Sequence, residues 1–140
     1  MSKTDKLEIA DQMLESAIEE YIDKERYFSA FNLAGVAEEI YGKFIRVNGG
    51  KDAQASTIEA VERINKIRGW IPIPVKEWKK IANRPKNSVK HLDNKEDRFI
   101  DIEIKVEACL MLGEALSNHA TLDRKVTPVI QRFYELNKDW

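Results

Sequence analysis

Apolar residues recur at steps of three and four along most of the chain. Leu7, Ala10, Leu14, Ala17, Ile18 and Tyr21 do so first and predict an amphipathic helix over about 5–23. The charged run Asp23-Lys24-Glu25-Arg26 marks a turn. A second helix, about 25–47, carries Phe28, Phe31, Leu33, Ala34, Val36, Ala37, Ile40, Tyr41, Phe44 and Ile45. Its apolar surface wraps so far round that it should be the central helix of a bundle. Asn48-Gly49-Gly50 stops it, because glycine reaches the left-handed conformation of a helix C-terminus without steric cost.

Ser56 or Thr57 can begin a third helix through Ile58, Val61, Ile64 and Ile67, ended by Gly69. Ile71-Pro72-Ile73-Pro74 must be extended, since each proline disfavours the helical conformation of the residue before it. A short helix over about 74–83 follows, and 84–95 reads as irregular or weakly helical. Ile100, Ile102, Ile104 and Val106 alternate with charges, a strand signature on its own. Phe99, Ile102, Val106 and Leu110 also fall at helical spacing, and no second strand exists to pair with them, so a helix of about 98–119 is expected. Thr127-Pro128 opens a final helix with a hydroxyl cap followed by proline. The pattern predicts one all-α domain over 1–140, an up-and-down bundle of about five to six helices.

Composition sharpens this picture. A chain of 140 residues that is 43% hydrophobic can build a core. No apolar run approaches the 18 or so residues of a membrane span, and Met1-Ser2-Lys3-Thr4-Asp5-Lys6 has no apolar stretch behind its lysines, so a cytoplasmic protein is expected. The single Cys109 excludes an internal disulfide framework and should be inert core. The net charge of -1 hides an uneven distribution. Between Glu62 and His91 nine bases face two acids, a net +7, and the rest of the chain carries -8. Such an island can simply be solvated helix surface, or it can receive an anionic partner locally.

The two histidines stand in different settings. His119 lies near the end of the long helix, where a cation would interact favourably with the helix dipole, and reads as structural. His91 closes the segment Arg84-Pro85-Lys86-Asn87-Ser88-Val89-Lys90-His91, inside the basic island. Arginine can hold a phosphate bidentately and histidine can move protons near neutral pH.

Arg84, six residues, then His91 resembles the Arg-x(4–6)-His signature of HEPN (higher eukaryote and prokaryote nucleotide-binding) domains. Leu33-Ala34-Gly35-Val36-Ala37-Glu38-Glu39-Ile40-Tyr41-Gly42 is similar to a stretch of small bacterial HEPN-like proteins, and Lys86-Asn87-Ser88-Val89-Lys90-His91-Leu92-Asp93 is similar to their Arg-Asn-x-x-Lys-His motif. The resemblance covers about 5–120. It implies a metal-independent ribonuclease that works as a homodimer, in which an RNA 2′-hydroxyl attacks the adjacent phosphate. His91 would shuttle protons, Arg84 would stabilise the phosphate and Asn87 would orient either group. Lys79, Lys80, Lys86 and Lys90 would hold RNA or a nucleotide, and Glu38 or Glu39 would be an additional polar residue. A defence or toxin–antitoxin setting, with an antitoxin-type protein partner, is also implied. The sequence departs from the family at two points: Pro85 follows Arg84, and Lys86 stands where the second motif has arginine, so either basic residue could fill that position.

Other chemistry finds less support. No Glu-x-x-His occurs, as a carboxylate-bridged metal bundle would need, and Asn48-Gly49-Gly50-Lys51 lacks the rest of a phosphate-binding loop. No metal or other cofactor is expected. Trp70 and Trp78 flank the proline-rich segment, where they can stack on bases or lie half-buried at an interface. The alternative to a ribonuclease is a non-catalytic dimeric helical module whose basic island docks an acidic partner or a nucleotide.

Overall fold

In a computed structural model, which describes residues 1–138, the all-α expectation holds. Six α-helices are formed among the described residues: α1 (Lys6–Ile22), α2 (Tyr27–Val47), α3 (Ala53–Arg68), α4 (Val75–Lys90), α5 (Ile104–Thr121) and α6 (Pro128–Leu136). None is long and apolar enough to cross a membrane. The chain divides into two compact units, 1–52 with 103–140, and 53–102.

The first unit holds the core. Asp5 Oδ1 accepts from the Leu7 N–H at 2.9 Å and starts α1. The turn at 23–26 folds α2 back along α1, with Glu25 at φ 53°. Gly49, at φ 82°, ends α2 where the glycine pair was expected to. Leu14, Ala17 and Ile18 of α1 meet Ala34, Ala37 and Tyr41 of α2, Leu112, Ala115 and Leu116 of α5, and Ile130 and Phe133 of α6. Tyr27 lies by Lys105 and Tyr41 by His119, so α5 runs parallel to α2 on the side not taken by α1. Cys109 is buried in this core, and burial raises its thiol pKa, which keeps it inert. Tyr21, hydrogen-bonded to that thiol, is pushed up to about 12 by burial and by the thiol.

The second unit is built differently. Among its described residues Ile58 is the one buried hydrophobic side chain. Its helices depart from the sequence reading at two boundaries, and α5 of the first unit departs at a third. α3 begins at Ala53, three residues early, directly after the buried Asp52, which pairs with Arg46. α4 continues through Pro85 to Lys90. Proline removes one helical hydrogen bond, but α4 has no buried residue, so water can reach the carbonyl set free. The long helix starts at Ile104, not at 98. Lys95–Arg98 form a single 3-10 turn closed by a capping box between Asn94 and Asp97, Phe99 is extended, and 100–103 form no helix or strand, so neither the helical spacing nor the alternation decides this stretch.

The core predicts a localised cost. Leu112→Ala, at a fully buried position of α5, should lower unfolding free energy by about 2–5 kcal/mol, read in a urea titration followed by circular dichroism.

Candidate functional site

α4 is amphipathic in a way that orders the expected site residues. At about 100° per residue, Lys80, Arg84, Asn87 and His91 fall on one stripe, while Lys86 lies about 200° round from Arg84. Val75, Trp78, Ala82 and Val89 occupy the other side. His91 caps the helix: its N–H donates to the Asn87 carbonyl at 3.2 Å and its own backbone is extended (φ −116°, ψ 134°). The chain turns there, and a hollow of about 250 Å³ opens between the helix end and the 3-10 turn. Asn87, Ser88, His91, Asp93, Asp97 and Ile100 line it.

Of the expected catalytic residues, the structure brings Asn87 and His91 together in this hollow. Arg84 is exposed one turn back on the same stripe, outside the lining. Lys79, Lys80 and Lys90 are exposed on α4, and Lys86 is partly buried there. Glu38 and Glu39 belong to α2 in the first unit; Glu38 is buried and Glu39 lines a cleft beside Leu7, Ile40 and Phe44.

Sequence reasoning missed Ser88, Asp97 and Ile100. The Asn94-x-x-Asp97 capping pattern was the available signal, because it forces a turn just after His91. Asp97 Oδ2 accepts from the N–H groups of Asp93 (3.0 Å) and Asn94 (3.3 Å), so its carboxylate is held to the turn that lines the same hollow as His91. The carboxylates of Asp93 and Asp97, which line the hollow, repel an anion inside it.

A second polar cluster lies in the first unit. Asp11 of α1 accepts from the Tyr41 hydroxyl at 2.6 Å and from Arg124 at 2.6 and 3.3 Å. Burial acts to raise the Asp11 pKa, but the hydrogen bonds from Arg124 and Tyr41 outweigh it and hold the carboxyl below its ordinary 3.8. Burial and the bond to Asp11 push Tyr41 up. His119 packs edge-on against Tyr41, 5.8 Å between ring centres, with Nε2 3.2 Å from the Lys125 carbonyl oxygen. That oxygen can only accept, which assigns the proton to Nε2; Nδ1 has no partner. Burial lowers the His119 pKa from 6.5, more than the Asp11 charge raises it. His119 is therefore structural, as its position suggested, but neutral: desolvation overrides the helix-end attraction for a cation.

No protein-family model, curated protein or solved structure matches this chain.

His119 fixes a pH dependence with a definite sign. Its folded pKa is depressed, so the unfolded chain binds the proton more readily, and stability present above about pH 6.5 declines as pH falls below that value. Urea midpoints at pH 5 should lie below those at pH 7. In His119→Gln the protein should be less stable at pH 7, and the difference between the two pH values should shrink.

Proposed function

We propose that the chain binds single-stranded RNA along the polar stripe of α4 and cleaves it without a metal, acting as a dimer. The observation that carries this reading is the stripe itself: Lys80, Arg84, Asn87 and His91 follow one another along an exposed helix inside the +7 segment, and His91 shares a hollow with Asp93 and Asp97. The resemblance of Arg84–His91 to the HEPN signature supports the same chemistry. In the proposed step the RNA 2′-oxygen attacks the adjacent phosphorus, a P–O2′ bond forms and the P–O5′ bond breaks. His91 takes the 2′-hydroxyl proton, and the departing 5′-oxygen receives one from a second acid, for which the dimer partner's copy of the imidazole is suited. Arg84 meets the charge that grows on the phosphoryl oxygens. Asp93 and Asp97 line the hollow with His91. This assignment favours Arg84 over Lys86 for the basic position, because two turns of helix put Arg84 and His91 on one side.

One observation favours a second reading, the non-catalytic interaction module. Ile67 and Ile71 of the second unit are 83% and 86% exposed, and Ile64, Ile81 and Phe99 are also exposed. Apolar side chains gathered on so small a unit suit contact with another protein.

Incubation of single-stranded RNA with the protein in EDTA separates the two. Cleavage should leave 2′,3′-cyclic phosphate ends, fall about 10²–10⁴-fold in His91→Ala, fall strongly in Arg84→Ala, and change little in Lys86→Ala. Intact RNA after incubation with a folded, dimeric preparation would overturn the ribonuclease and leave the interaction module.

A further inference from the structure

A second hollow, of about 460 Å³, lies where α3 ends. Glu62, Asn65, Lys66, Trp70, Pro72 and Ile73 line it. Its shape follows from the local sequence. Gly69 takes φ 70°, its N–H donates to the Lys66 carbonyl at 3.2 Å, and the Trp70 N–H donates to the Asn65 carbonyl at 2.9 Å. These bonds pin the backbone of Trp70 to the helix end. Pro72 and Pro74 fix their own φ and disfavour a helical backbone at Ile71 and Ile73 before them, so one wall of the hollow is stiff. A cavity of this size is within the range of small-ligand sites.

Its chemistry is that of a nucleotide site. The Trp70 side chain is 57% exposed, although an indole buries more apolar area than almost any other side chain when a cover is available. The Arg68 guanidinium lies 5.9 Å from the centre of its ring. Lys66 stands on the rim, with Arg63 on the same helix, and all three cations belong to the +7 segment. Glu62 and Asn65 add polar groups to the lining, which the polar edge of any base can meet. The C-terminal end of a helix carries partial negative charge, which opposes a phosphate seated against it but favours the amino groups of a base.

We propose that this hollow holds one unpaired nucleobase of a single-stranded RNA, stacked on Trp70, with Lys66 and Arg68 on the flanking phosphates. The inference rests on the reading of the chain as an RNA-binding protein and adds a base-binding position separate from the hollow at His91. Base stacking on an aromatic side chain is sequence-tolerant, so the site would hold the strand in place without dictating which base it carries.

The test uses the full chain and two octamers with 2′-O-methyl riboses, which cannot be cleaved by 2′-hydroxyl attack: oligoadenylate, and the same backbone lacking its bases. Fluorescence anisotropy should show the oligoadenylate binding about 5- to 100-fold more tightly, the range expected of one stacked base. Trp70→Ala should lose that difference and keep the affinity for the abasic strand, while Trp70→Phe should keep most of the difference. Circular dichroism verifies that both exposed-site variants are folded. Equal affinity for the two strands in the wild type, or an unchanged difference in Trp70→Ala, would overturn the base site and leave RNA binding by α4 intact. No binding of either strand would overturn both. Should Trp70→Ala alter the sedimentation of the protein and not its affinity for the oligoadenylate, the hollow is a contact between copies and the proposal fails.

Discussion

The close approach of α2 to α1 on one side and to α5 on the other is the constraint on which the first unit rests. Ala30, Ala34 and Ala37 are fully buried along α2, and small side chains let the helix axes draw together. At Gly42 the space is nearly used up: a Cβ there would lie 3.3 Å from both Asn118 Nδ2 and Asp52 Oδ2. Polar groups are then carried inward with the backbone, and each needs an answer. Asn118 donates to the Glu38 carbonyl at 3.3 Å, and the Tyr41 hydroxyl donates to Asp11. Each bond contributes only about 1 kcal/mol net, but a buried group left without its partner costs about 1–3 kcal/mol. These bonds therefore select the register of the helices more than they strengthen the fold.

The second unit obeys a different logic. It gathers the basic island, two tryptophans and a row of isoleucines over 53–102 while burying a single one of its hydrophobic side chains among the described residues. Its local structure comes from helix ends: Gly69 closes α3, His91 closes α4, and the Asn94–Asp97 capping box shapes the turn that follows. Each of the two hollows proposed as sites forms at such an end, because the chain must change direction there and leaves side chains facing an unfilled space. Function placed on exposed helix ends does not compete with packing for the same residues.

The candidate site was partly legible in the sequence. The distance from Arg84 to His91 was visible, but it means one stripe only if the segment is a helix, and 84–95 read as irregular or weakly helical. The structure keeps the helix because the carbonyl that Pro85 deprives of a partner lies on a helix without buried residues. Asp97 was hidden for a related reason: its place in the hollow with His91 depends on a 3-10 turn four residues long, too short to leave a period in the sequence. Trp70 was visible as an aromatic in a basic stretch, and only the bend at Gly69 shows that it walls a hollow.

By itself the sequence determined the helical class, the two ends of α1, the end of α2 at Asn48-Gly49-Gly50, and the Thr127-Pro128 start of α6. These are local matters, set by side-chain period and by which residues tolerate the backbone of a helix end. Tertiary structure alone decided that His119 is neutral and that Asp11 is clamped by a residue 113 positions away. It alone decided which apolar faces are covered, those of α1, α2, α5 and α6, and which side chains of α3 and α4 remain exposed. Burial and charge state depend on what the rest of the chain brings alongside, and no short window of sequence contains that.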